Sequence, residues 1–174
     1  MRKKWALIVF TIAFALCLGS HTEAAWALTI DTDENGMLAI TIDNPNDLEK
    51  IADLNNKENI KTVQLNSGAG CNIPEKVFIG CTNLETVTTD NIRFIQSVGD
   101  SAFSGCSSLS NIDLSTATSI GDSAFSECSS LSKIDLSAAT SIGDDAFSGL
   151  ENLSSVTLCD YLEIIGERLF KDTA

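Results

Sequence analysis

Asp113 and Asp135 stand 22 residues apart, each preceded by Ile and followed by Leu-Ser. Two carboxylates brought together by a repeat can do acid–base work or hold a cation. Their neighbours in the same segments are Asn111, Ser115, Lys133 and Ser137, and Ser155 and Thr157 follow one unit later. Ca²⁺ takes about six to eight oxygen ligands, and beyond the two aspartates this set adds little except hydroxyls. Nucleophilic catalysis needs a base beside the serine. The chain's one histidine, His21, lies in an N-terminal segment that reads as removable, so the commonest general base and metal ligand is missing from the rest. The aspartates therefore read as two solvated charges, side by side on neighbouring units of an open surface. Asn111, Asp113, Ser115, Lys133, Asp135, Ser137, Ser155 and Thr157 form a candidate binding face, with no catalytic, cofactor or metal site expected.

Cys71, Cys81, Cys106, Cys128 and Cys159 are the second reactive set. Cys81, Cys106 and Cys128 recur at one repeat position, and Leu150 takes that position next. A slot that accepts Cys or Leu is a buried apolar slot, so these sulfurs read as structural thiols. A bridge between neighbouring units about 5 Å apart stays open by distance alone. Zinc lacks both a C-x-x-C pair and a histidine. Cys159 falls in an outward slot, aligned with Ser115 and Ser137, and reads as an exposed free thiol.

What must position these residues is a 22-residue unit. Residues 119–140 read SIGDSAFSECSSLSKIDLSAAT, residues 97–118 are nearly the same, and residues 141–162 are a looser version. A fixed period in the twenties marks a stacked solenoid. Leu109, Leu131 and Leu153, then Ile112, Ile134 and Val156, then Leu114, Leu136 and Leu158 give L-x-x-I-x-L, a leucine-rich-repeat strand. Ile134 and Leu136 alternate with Lys133, Asp135 and Ser137, so one strand face is buried and the other is wet. The copies are expected to pair into one parallel sheet. Its outward columns are Thr62, Thr86, Asn111, Lys133, Ser155; Gln64, Thr88, Asp113, Asp135, Thr157; and Asn66, Asp90, Ser115, Ser137, Cys159. The other half of the unit, IGDSAFSEC, predicts a short helical turn. Gly121 suits its tight entry, Asp122 caps it, and Ala124, Phe125 and Cys128 point inward. Phe78, Phe103, Phe125, Phe147 and Phe170 are spaced 25, 22, 22 and 23 apart and predict a stacked aromatic spine in the core.

The pattern I-G-x-x-A-F-x-x-C-x-x-L-x-x-I-x-L resembles the BspA-type leucine-rich repeat of bacterial and protist surface and secreted proteins. Ile120, Gly121, Ala124, Phe125, Cys128, Leu131, Ile134 and Leu136 carry the likeness, which covers about residues 71–174. It implies an α/β repeat solenoid: a short leucine-rich stack with one parallel β-sheet, short helical turns on the opposite side, and an N-terminal hairpin-helix cap. Family members are often described as adhesins or host-contact proteins, so the resemblance also implies a contact role outside the cell.

Residues 1–27 read as a secretory signal: Arg2, Lys3 and Lys4, an apolar run over residues 5–18, then Ala25-Trp26-Ala27 as a cleavage site. Cleavage after Ala24 is a second choice. Cys17 raises a lipoprotein alternative, against which Leu16 stands where a lipobox wants a small residue. The run is short of the roughly 20 residues a membrane span needs. Residues 28–70 read as an N-terminal cap with the first strand. Alternating runs flank Asn35-Gly36, a hairpin signal. Leu48, Ile51 and Leu54 sit at helical spacing, capped by Asn46 or Asp47. Residues 60–65 (IKTVQL) repeat the strand pattern, and 67–70 (SGAG) make a joint. Repeats then run over 71–96, 97–118, 119–140, 141–162 and a partial 163–174. In the first, Thr89 replaces the later Leu114 and predicts a weaker strand, and residues 91–96 (NIRFIQ) predict a bulged loop. Asn152-Leu153-Ser154 fits a glycosylation sequon, but its Leu is a core position. The sequence stops inside a unit; a truncated piece, a minimal cap, or self-association through this C-terminal end all fit.

The whole sequence carries a formal charge of −13. Without residues 1–27 it keeps 8 basic and 23 acidic residues, a formal charge of −15. That excludes nucleic acid and anionic membrane surfaces as partners. The outward columns hold no Trp, Tyr or Arg, the usual anchors of protein contacts. The expected function is a non-enzymatic binding module, secreted or at the cell surface. It would meet an extracellular protein or glycan through weak contacts multiplied over many copies. The alternative is a structural spacer within a larger surface protein.

Overall fold

A computed structural model describes residues 28–66, 70–89 and 95–174. The signal-like leader, Asp90 and residues 91–94 of the expected bulge lie outside the described residues. Strand β1 (Leu28–Thr32) pairs antiparallel with β2 (Leu38–Ile42), Leu28 opposite Ile42. The Asp33 carboxylate accepts the N–H groups of Asn35 and Met37, and Gly36 takes a φ of 79°. The turn is therefore longer than the two residues Asn35-Gly36. A 3₁₀ turn over Pro45–Leu48 leads into helix α1 (Glu49–Ala52), which buries Leu48 and Ile51. The cap of the 3₁₀ turn is Asn44, whose side chain accepts the Asn46 N–H at 3.1 Å, rather than Asn46 or Asp47, because the turn begins earlier, at Pro45.

The solenoid forms as the sequence predicts. On its front, β2 is followed in parallel by β3 (Ile60–Leu65), β5 (Thr86–Thr89) and β7 (Asn111–Ile112). The next two rungs contribute β9 (Lys133–Leu136) and β11 (Ser155–Leu158), paired in parallel with each other. Val63 stands beside Val87 and Val87 beside Ile112, while Ile134 stands beside Val156. The inward residues thus stack column by column, as a 22-residue period requires.

The inner layout departs from the expected one in several ways. The described residues form three sheets rather than one: the front divides into a five-stranded and a two-stranded sheet, and a third lies at the back. The segments read as turn entries form a back sheet of β4 (Cys71–Ile73), β6 (Ile95–Val98), β8 (Ser119–Ile120), β10 (Ser141–Ile142) and β12 (Ile164–Ile165). Ile95 and Gln96 belong to β6, not to a bulge, and Ile95 is buried. The segment after each back strand is not a helix. Its N–H groups alternate between i−3 turns, such as Cys128 to Phe125 (3.1 Å), and bonds to the next rung, such as Phe125 to Ala146 (2.8 Å). Asp122 does not cap its own rung. Its carboxylate accepts the Asp144 N–H one rung on (2.8 Å), as Asp100 accepts that of Asp122 (3.0 Å). Stacking at strand distance lets a neighbouring rung satisfy the groups a helix would satisfy internally. The Thr89 strand is not the weakest: β5 pairs over four residues with β3, whereas β7 spans only Asn111–Ile112.

The core is one continuous column. Phe78, Phe103, Phe125 and Phe147 are fully buried. They stack with Phe170 at centroid separations of 5.1, 5.1, 5.5 and 5.8 Å. Each such pair adds about 0.5–1.5 kcal/mol beyond area burial. Among the described residues no helix is long and apolar enough to cross a membrane.

Candidate interaction face

The outward side chains of the front strands fall into register wherever the strands pair. Thr62 stands beside Thr86, Thr86 beside Asn111, and Gln64 beside Thr88. Further along, Lys133 stands beside Ser155 and Asp135 beside Thr157. Asn111, Asp113, Lys133, Asp135, Ser137, Ser155 and Thr157 are exposed, and Ser115 is half-buried.

Asp113 and Asp135 each bond within their own rung. The front ladder is interrupted between β7 and β9, and Asp113 lies past the end of β7. Its carboxylate turns to its own rung, accepting the Ser115 N–H (3.0 Å) and hydroxyl (2.7 Å). Asp135 likewise accepts the Ser137 N–H (3.0 Å). Such local Asx bonds compete with the sheet ladder. The Ser137 hydroxyl donates to the Ser115 carbonyl (3.4 Å) across the interruption. Each carboxylate is thus a turn former with its outer lone pairs in water. Among the described residues no group of three or more His, Cys, Asp or Glu side chains is placed to hold a metal ion.

The serines and threonines have a structural task that the reading of single residues missed. Ser110 donates to the Glu85 carbonyl (3.3 Å), Ser154 to that of Ser132 (2.8 Å), Thr118 to that of Gln96 (3.2 Å) and Thr140 to that of Thr118 (3.2 Å). The Asn152 amide of the sequon donates to the Ser129 carbonyl (2.8 Å), and Leu153 packs against the core. Recurrence of hydroxyl residues at the repeat period was the available signal.

The five cysteines among the described residues are free thiols. Cys106 donates to the Phe78 carbonyl and Cys128 to that of Phe103, both at 3.1 Å and fully buried. Burial pushes the Cys71 thiol up to about 11 and the Cys128 thiol up to about 12. The hydrogen bond with Cys81, then burial, raise Cys106. Cys159 is half-buried rather than open, and its sulfur accepts the Tyr161 N–H (3.3 Å). A second surface went unread in the strand columns. Leu158, Tyr161, Ile164 and Ile165, at the C-terminal end of the stack, are 45, 81, 60 and 61% exposed.

A family model described as the BspA type leucine rich repeat region matches residues 52–174, in six copies. The chain belongs to the BspA-type leucine-rich repeat family. The match of this BspA-type chain begins at residue 52, ahead of β3, so it takes in more of the N-terminal region than the sequence motif did. Among solved structures, a leucine-rich cell surface protein from Faecalibacterium prausnitzii A2-165 is similar at a TM-score of 0.60 and 22% identity, over 91% of this chain and 47% of that one. The likeness establishes the shared fold, and the present chain spans about half of that protein's length. A leucine-rich repeat protein from Bacteroides ovatus ATCC 8483 aligns at a TM-score of 0.43 and 27% identity, over 77% of this chain and 28% of that one. One from T. pallidum aligns at 0.37 and 17%, over 88% and 89%. A search of curated protein sequences finds no match. Like other stacked-repeat architectures, the BspA-type solenoid offers an extended surface suited to protein contacts.

Proposed function

We propose that this BspA-type chain is an exported, non-enzymatic module that meets an extracellular protein or glycan, in an adhesive role, through its front sheet. The observation that carries this reading is the exposed polar face, in register over the paired strands on either side of the β7–β9 interruption, with Thr86 beside Asn111, Lys133 beside Ser155 and Asp135 beside Thr157. Equal spacing lets one weak contact be repeated, and repetition multiplies affinity without any single hot spot. The leader of residues 1–27 and the surface-protein character of the family support export to the outside of the cell. A second reading, a structural spacer within a larger surface protein, draws on Ser115 and Ser137, whose hydroxyls are already satisfied within the stack. The experiment is a binding screen of the protein against immobilised matrix proteins and glycans, with and without Ca²⁺. Saturable binding that falls about tenfold or more in Lys133→Glu or Asp135→Lys supports the front face. Absence of any ligand for a folded, monodisperse sample favours the spacer.

A further inference from the structure

The junction between the rungs of residues 97–118 and 119–140 is tight at the back and loose at the front. In its turn column Ser101 donates to the Asp122 carbonyl, Phe103 to that of Ala124 and Gly105 to that of Ser126, all at 2.8 Å. At the back sheet Gly121 donates to the Val98 carbonyl (2.8 Å) and Thr140 to that of Thr118 (2.9 Å). The rings of Phe103 and Phe125 stack in the core at 5.1 Å. The bonds that cross the front side are longer. The Ser130 N–H reaches the Ser107 carbonyl at 3.2 Å, the Ser129 hydroxyl the same carbonyl at 3.4 Å, and the Ser137 hydroxyl the Ser115 carbonyl at 3.4 Å.

The neighbouring junctions are closed on this same side. One rung earlier, Ser110 and Asn111 donate to the Glu85 carbonyl (3.0 and 3.4 Å). One rung later, Ser154 and Ser155 donate to that of Ser132 (2.9 and 3.3 Å), and the Asn152 amide reaches the Ser129 carbonyl at 2.8 Å. The equivalent donors at the loose junction are Ser132 and Lys133, and among the described residues neither N–H meets the Ser110 carbonyl. The side chains supply a reason. A ladder carried through here at the repeat register would set Asp113 beside Asp135. The closed ladders instead set Gln64 beside Thr88 and Asp135 beside Thr157. Like charges directly opposite one another on a sheet destabilise it. Lys133, the one basic residue of the outward columns, would fall beside the neutral Asn111.

We propose that this junction is a joint at which the stack flexes, its front ladder held open by repulsion between Asp113 and Asp135. The turn column and the back sheet form the axis, because their short bonds hold the two rungs together there. The front lacks the ladder that would resist bending about that axis. The front sheet is thus two plates, one of β1, β2, β3, β5 and β7 and the other of β9 and β11. Flexing changes the angle between the Thr86–Asn111 and Lys133–Ser155 parts of the polar face, whether or not that face binds a ligand.

The test follows amide hydrogen exchange in the protein and in Asp113→Asn. The asparagine keeps an oxygen for the Ser115 N–H and removes only the charge. In the unaltered protein the Ser132 and Lys133 amides should exchange about tenfold or more faster than those of Ser154 and Ser155, with intrinsic rates divided out. Asp113→Asn should slow them about tenfold, and Asp113→Glu, which keeps the charge, should not. Salt at about 1 M, where the screening length is about 3 Å, should act as the asparagine does. The motion itself is read from spin labels on Thr88→Cys and Thr157→Cys, one on each plate, in a Cys159→Ser background. Their distance distribution should narrow on adding Asp113→Asn. Equal protection of the two amide pairs in the unaltered protein overturns the joint. Protection that neither the asparagine nor salt raises overturns the electrostatic hold and the proposal with it, and so does a label distribution that the asparagine leaves unchanged.

Discussion

At the scale of the residue, the repeat marks positions whose reason lies in the neighbouring rung. Gly121 is one. Its φ is unexceptional, and the sequence-based reason of a tight entry does not apply. A Cβ there would run into the Asp100 carboxylate and come within 2.7 Å of the Asp100 backbone nitrogen. Gly143 is held in the same way against Asp122. Backbone cannot yield as a flexible side chain can, so Gly121→Ala should cost about 1–3 kcal/mol as overpacking. Urea unfolding of the two proteins measures it; equal midpoints would show that the rungs can part without cost. Phe125 and Cys128 were legible as buried because a column of like residues stacks only inward. Ser110 and Thr140 were not, since their bonds run to carbonyls a period away, and a carbonyl leaves no mark in the sequence.

At the scale of the element, the thiols couple stability to alkaline pH. A free thiol titrates near about 8.5. Burial holds Cys71 up to about 11 and Cys128 up to about 12 in the folded chain. A folded value above the unfolded one means that the stabilisation is complete below the unfolded value. It is lost as pH rises through the folded value, because only the unfolded chain releases these protons in between. The melting temperature should therefore fall steadily from about pH 8.5 upward, and Cys128→Leu, which copies the residue at Leu150, should flatten that slope. An unchanged slope would place the titrating groups elsewhere. The back sheet shows what element-level reading could not reach. Strands such as Ser119–Ile120 are two residues long, and two residues carry no period. They become strands because identical segments are stacked at ladder distance, not because of their own propensity.

At the scale of the whole molecule, the two ends differ. The β1–β2 hairpin and α1 stand ahead of the repeats, and the last described strands, β11 and β12, pair with one neighbour each. There Arg168 makes a two-pronged bond to Asp145, Nε at 3.0 Å and the outer nitrogen at 2.6 Å. That hydrogen bond first, with the attraction of the guanidinium, lowers the Asp145 carboxyl below the usual aspartate range. A lowered folded value gives stabilisation that is present above the unfolded value and lost as pH falls through the folded one. Acidification below about pH 4 should thus open the last rung before the rest, seen as faster exchange at the Asp145 and Gly149 amides while Phe103 stays protected. Uniform loss of protection along the stack would contradict this one-dimensional picture.

The amino-acid sequence by itself determined the period, the contents of each rung, the inward columns and the aromatic spine. Copies of one unit can only superpose like on like, so recurrence along the chain becomes adjacency in space. The tertiary structure alone decided the back sheet, the interruption of the front ladder between β7 and β9, and the rung-to-rung bonds of the turn columns. These are matters of where backbone N–H and C=O groups point. Every residue except proline carries the same two groups, so side-chain types do not record their direction until the rungs are stacked.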